Sequence, residues 1–129
     1  MPRTVEDVET YLLQLDRTFD NDQGTLVLTG REGTPPIAIR VVPPIVAVRA
    51  SIGPVPSDEK HQLSLFRRLL EYNAADLMHA SYGIEGSTIV LSAALALENL
   101  DQNELEATLS DIDLAFVSHV AKLHDIALG

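Results

Sequence analysis

The stretch from Ser57 to Ala80, SDEKHQLSLFRRLLEYNAADLMHA, constrains the fold more than any other part of this chain. At a step of about 100° per residue, Leu63, Phe66, Leu70, Ala74 and Leu77 form one side of a helix, and Leu65, Leu69 and Tyr72 continue around its back. The apolar arc covers roughly two thirds of the circumference, against the ~100° stripe of an ordinary surface helix. Such a helix has to lie against two neighbours. A sheet of its own domain supplies one, and a second copy of the chain is a candidate for the other. Ser57 reads as the N-cap, with Asp58 and Glu59 placing negative charge in the first turn. Asn73 falls on the apolar side. Its amide either finds partners there, capping a strand or fixing a register, or sits half exposed.

Around this helix the chain alternates between strand and helix signals. Thr4 reads as an N-cap, and Val5, Val8, Leu12, Leu15 and Phe19 predict an amphipathic helix to about Phe19, ended by a turn at Asn21, Asp22 and Gly24. Leu13 lies off that stripe. A strand is expected at Thr25 to Thr29, then a loop (GREGTPP), then β-branched runs at Ile37 to Val42 and Ile45 to Ile52. Pro43 and Pro44 separate those runs, since proline cannot donate to a ladder. Val46, Val48, Ala50 and Ile52 share the face that should cover a core, with Ala47, Arg49 and Ser51 opposite. Ser81 to Glu85 and Thr88 to Leu97 predict a hairpin around Gly86. Its second strand turns Ile89, Leu91, Ala93, Leu95 and Leu97 one way and the small residues Ser92, Ala94 and Ala96 the other. Asp101 and Glu104 make a capping-box start for a last helix with its stripe at Leu105, Leu109, Ile112, Phe116, Val120 and Leu123. Glu106, Asp111 and Asp113 are read as its acidic outer face, and Leu114 and Val117 fall outside the stripe.

One hundred and twenty-nine residues, 46% of them hydrophobic, suffice for a single domain (1–129) with a core of its own. The absence of Cys excludes disulfides and thiolate chemistry. Glu6, Asp7 and Glu9 follow Met1 where a signal peptide would need basic and apolar regions, and no apolar run approaches the ~20 residues of a membrane span. The expectation is a soluble, cytoplasmic protein with no membrane partner. A net charge of −10 opposes nucleic acid, which selects Lys and Arg clusters, and Arg67–Arg68 is the only adjacent basic pair. That charge, which falls mostly after Lys60, reads either as solvated acidic helix faces, the simpler account, or as a functional acidic surface that steers a basic partner.

Catalytic and metal patterns do not assemble. His119 and His124 are five apart, roughly 140° around a helix, and cannot share a metal as an i, i+4 pair does. His61 and His79 sit at opposite ends of the long helix, so each histidine is assigned a solvated or helix-end role. Asp16, Asp20 and Asp22 precede Gly24, but a calcium loop in that register would put Phe19 and Gly30 where carboxylates are required. Ser87 is not at the centre of a GxSxG turn. The sequence therefore predicts no enzyme, no cofactor and no metal.

The run LFRRLLEYNAADLMHASYGIEGSTIVLSAALALENLDQNELEATL, Leu65 to Leu109, resembles class I type III secretion chaperones (the Tir-chaperone family) and the YbjN-like family. The shared pattern is a leucine-rich helix with an Asn, a short aromatic-containing strand, a Gly turn, a long strand, and a Leu-Glu-x-Leu-Asp entry to the last helix. The resemblance implies an α+β fold of order α-β-β-β-α-β-β-α, with an antiparallel sheet packed against helices and assembled as a homodimer. It places the dimer contacts on the long helix and the strand beside it: Leu65, Phe66, Leu69, Tyr72, Asn73, Leu77, Ala94 and Ala96. It also implies a non-enzymatic partner role, holding an extended segment of a secreted effector or other client, without identifying the residues that touch it. The alternative is a YbjN-like cytoplasmic adaptor or regulator with no role in secretion.

Overall fold

Thr4 opens the first helix as expected: its Oγ1 accepts the Asp7 N–H at 3.3 Å, while the Asp7 carboxylate accepts the Thr4 N–H at 2.8 Å. In the computed structural model, residues 3–30 and 33–128 are described. Arg31 and Glu32 of the expected glycine-rich loop, with Met1, Pro2 and Gly129, lie outside the described residues. The elements run α1 (Val5–Gln14), β1 (Thr18–Asp22), β2 (Thr25–Thr29), β3 (Ile37–Val42), β4 (Ile45–Pro54), α2 (Glu59–Ala75), β5 (Ser81–Glu85), β6 (Thr88–Ala96), α3 (Gln102–Ser118) and α4 (Val120–Leu128).

The fold is α+β, with one antiparallel sheet of order β1-β2-β3-β4-β6-β5. Four strands form a meander, and the chain then leaves through α2 and returns at the far edge. β6 pairs with β4, and β5 becomes the edge strand. Strand parity sorts the side chains as the sequence indicates. Leu26, Leu28, Ile37, Ile39, Val46, Val48, Ala50, Ile89 and Leu91 face a core shared with the helices, each 4% exposed or less. Arg40, Val42, Ile45, Ser51, Ala94 and Ala96 turn to the other face and are exposed.

Two elements differ from the expected order. The first helix stops at Gln14 instead of about Phe19, because Asp16 turns left-handed (φ 58°) and the Arg17 N–H doubles back to the Leu12 carbonyl. The freed residues make β1, in which Phe19 pairs with Leu28 and packs on the core. Gln23 and Gly24, both at positive φ, form its two-residue turn. At the other end the single expected helix divides at His119 into α3 and α4. The order is therefore α-β-β-β-β-α-β-β-α-α.

The long helix is also shorter than expected, Glu59–Ala75 rather than Ser57 to Ala80, and its N-cap is Asp58, whose Oδ2 accepts the His61 N–H at 3.1 Å. It ends early because the segment after it has another hydrogen-bond acceptor. Asp111, expected on an acidic outer face, is 8% exposed, and its carboxylate takes the backbone N–H groups of Met78, His79 and Ala80. Buried N–H groups need partners, and a carboxylate can accept several. Asp101 and Glu104 do form the expected capping box. Tyr11 Oη and Arg3 Nε both donate to the Leu100 carbonyl, tying α1 to the loop before α3.

Candidate protein interface

Helix α2 is two-sided, as its apolar arc required. Leu65, Leu69 and Tyr72 enter the core at 0, 4 and 7% exposure. The other stripe faces outward: Leu63 and Leu70 are 73 and 68% exposed, Ala74 is exposed and Phe66 is half buried. With Arg67 and Glu71 they line a shallow groove of about 510 Å³. An exposed apolar row on a helix surface marks a contact surface more often than scattered single leucines do.

The structure divides the eight residues expected at a dimer contact. Leu65, Leu69, Tyr72 and Leu77 belong to the protomer's own core. Phe66 reaches the outward groove. Ala94 and Ala96 are exposed on the sheet face turned away from the core, where Ala94 neighbours Ala47 and Ala96 neighbours Ile45, itself paired with Val42. Asn73 is engaged within the chain: its Oδ1 accepts the Tyr82 N–H at 2.7 Å and its Nδ2 donates to the Tyr82 carbonyl at 3.2 Å. Of the two readings open for this amide, the strand cap holds. It occupies the hydrogen-bonding groups that edge strand β5 would otherwise offer to another chain. Leu63 and Leu70 were absent from the expected contact because the two apolar stripes of α2 are equally hydrophobic. Nothing in the spacing says which stripe meets the sheet.

A second recess lies between the ends of β2 and β3 and helix α3. Leu28, Pro35, Ile37 and Phe116 give it apolar walls, and Arg17 paired with Asp113 at 2.5 Å forms a charged rim; its volume is about 270 Å³. Val117, 74% exposed, stands at its edge, and Leu13 of α1 is 65% exposed. The arrangement suits a chain segment that alternates apolar and polar groups.

Of the solvated or helix-end roles expected for the histidines, His119 takes the second, as the C-cap of α3, but buried. It is 1% exposed, with Nδ1 2.9 Å from the Tyr82 hydroxyl, Nε2 2.8 Å from Asp76 Oδ2, and its ring stacked on Tyr72 at 3.6 Å and 9°. Burial pushes both phenols upward, most strongly that of Tyr82, with the neighbouring Tyr72 and Asp76 adding to it. His61 instead sits beside Asp58 at the start of α2. The His61 N–H, then its ring, hold the Asp58 carboxyl below its ordinary range, as the Thr4 N–H and hydroxyl do for Asp7. Among the described residues no group of three or more His, Asp or Glu side chains could hold a metal ion, and no helix is long and apolar enough to cross a membrane.

A six-stranded antiparallel sheet backed by helices, with unpartnered apolar surface on its long helix and few polar groups converging on a pocket, defines a protein-binding fold of the secretion-chaperone type. The chain belongs to the CesT_Tir_1 family of type III secretion chaperones, whose profile matches residues 1–129. Solved structures agree on the fold. YbjN of E. coli, a candidate transcription regulator, superposes with a TM-score of 0.69 at 15% identity, covering 93% of each chain. A chain of the heterodimeric ExoU–SpcU complex from the type III secretion system of Pseudomonas aeruginosa gives 0.67 at 17% identity, covering 92% of this chain and 96% of that one. The Yersinia pestis type III secretion chaperone SycH, solved with a fragment of YscM2, gives 0.62 at 11% identity, covering 93% and 99%. No curated protein sequence matches the chain.

Proposed function

We propose that this protein is a dimeric chaperone that holds an extended segment of a client protein in the cytoplasm. The observation that carries the reading is the outward stripe of α2, Leu63, Leu70 and Ala74 with the half-buried Phe66 between them, which the other described elements leave open to solvent. A second copy covers it, with Ala94 and Ala96 on the open sheet face as a further contact surface. The client segment lies in the recess beside Phe116 and Ile37, its apolar side chains on the walls and its polar groups against the Arg17–Asp113 rim. Membership of a chaperone family and fold neighbours solved as complexes with other proteins support this assignment. It requires no catalytic group, which agrees with the family's binding role.

Affinity capture from the native host, followed by titration of the captured protein's isolated segments, tests the client. The expected result is one dominant partner, of which a short unfolded segment binds alone and loses affinity when Val117→Asp, exposed at the edge of the recess, puts a charge beside its apolar walls. Capture of a partner that binds only when folded contradicts the chaperone reading. It favours the YbjN-like adaptor, a reading that the likeness to the E. coli protein keeps in view.

A further inference from the structure

The recess beside Phe116 has apolar walls and one charged lip, and the two sides of that lip are unequally covered. The Arg17 side chain is 25% exposed, whereas that of Asp113 is 47% exposed. Both terminal nitrogens of the guanidinium are turned onto the carboxylate, Nη2 donating to Oδ2 at 2.5 Å and Nη1 to Oδ1 at 3.3 Å. A carboxylate has about four acceptor sites on its two oxygens, and this fork takes two. What the lip offers a newcomer is therefore acceptor and negative charge, with the positive partner already engaged.

The surroundings keep that sign. Arg17 and Asp113 are the only ionisable groups among the described residues that line the recess. Arg31 and Glu32, which follow Gly30 of the lining in the sequence, add one charge of each sign. Asp16, beside Arg17, and Glu106, two turns before Asp113 on the same side of α3, are exposed and acidic. The chain as a whole carries −10, a field that gathers cationic partners and opposes anionic ones. We propose that the recess selects its occupant by charge: an extended segment enters with an apolar anchor between Ile37 and Phe116, and a Lys or Arg within two residues of that anchor is held by Asp113. Arg17 is a positioning residue, whose fork fixes the carboxylate at the lip. A segment bearing Glu or Asp at that place meets the Asp113 carboxylate instead, and like charges oppose its entry. This selectivity rests on the recess being the client site, and it specifies what the client carries there.

Three labelled synthetic peptides test this on the full chain by fluorescence anisotropy: one segment of alternating Leu and Ser, flanked by Lys, by Gln or by Glu. Amide shifts at Gly30, Ile37 and Val117 locate the bound peptide. The Lys peptide should bind about fivefold tighter than the Gln peptide, the worth of a partly exposed ion pair, and the Glu peptide about fivefold weaker. High salt should shrink both ratios. Asp113→Asn, which keeps the size and removes the charge, should bring the Lys and Gln peptides to equal affinity. Arg17→Gln should widen their ratio, because it leaves the carboxylate to the peptide alone. Circular dichroism confirms that each variant is folded. Equal affinities in the native chain, a preference for Glu, or an Asp113→Asn variant that weakens all three peptides alike would overturn the proposal while the shifts still mark the recess as a client site. No binding of any peptide, or shifts confined to other residues, would overturn it together with that client site.

Discussion

One carboxylate, Asp111, holds the five residues between α2 and β5 by accepting from three successive backbone groups. Asp111→Ala takes the acceptor from all three, the buried Ala80 N–H among them, and urea unfolding should show a loss of roughly 2–4 kcal/mol. Asp111→Asn, which keeps one acceptor, should lose less. Tyr72 and Tyr82 make a second prediction. Their phenols are raised in the folded state, so below the ordinary value of 10.0 both states are protonated and the contribution to stability is fully present. Above it the unfolded chain ionises first, and stability is lost as pH rises. Tyr82→Phe should show a shallower alkaline decline in melting temperature than the native chain. Asp7 and Asp58 act in the opposite sense at acid pH. Their lowered carboxyls contribute stability above the ordinary Asp value of 3.8 that is lost as pH falls through the folded values. None of the buried contacts of Asp111 or His119 was legible in the sequence. An Asp among Glu106 and Asp113, or a His between Ser118 and Val120, carries no local sign of the distant backbone or phenol that it meets.

The elements were legible wherever periodicity was long and the caps were standard. The strands Thr25–Thr29, Ile37–Val42 and Ser81–Glu85, the capping box at Asp101 and the two-sided α2 all follow from spacing and residue type. β1 was not, because TFDND has two Asp and one Asn in five residues and reads as a turn; only its pairing with β2 makes it a strand. The end of α1 was missed for a related reason. Asp16 takes the left-handed position usually marked by Gly, so the stop signal was absent. Asp16→Gly should accordingly raise stability by about 0.5–1 kcal/mol, since the position is relieved of a left-handed φ at the cost only of an exposed side chain. In thermal or denaturant unfolding, an unchanged or lower stability would mean that the residue is not held left-handed. At the far edge, Asn73→Ala should cost roughly 1–3 kcal/mol by uncovering two backbone groups of β5. The same variant should raise amide exchange at Tyr82 before it raises exchange in β4.

At the scale of the whole molecule, the sequence carried the α+β class, the antiparallel sheet and the family. It left open which side of α2 is spent on the core. The structure answers with Leu65, Leu69 and Tyr72 inside and Leu63 and Leu70 out, so two adjacent leucines have opposite expected behaviour. Leu69→Asp buries a charge without a partner and should unfold the protomer. Leu70→Asp leaves the core intact and should act only on association. Sedimentation equilibrium of the native chain and of Leu70→Asp, with circular dichroism to confirm the fold of each, is the direct measurement. The account predicts a native mass twice the 14.0 kDa of one chain and a folded Leu70→Asp protein at 14.0 kDa. A native protein that sediments at 14.0 kDa, or a Leu70→Asp variant that stays at twice that mass, would contradict it.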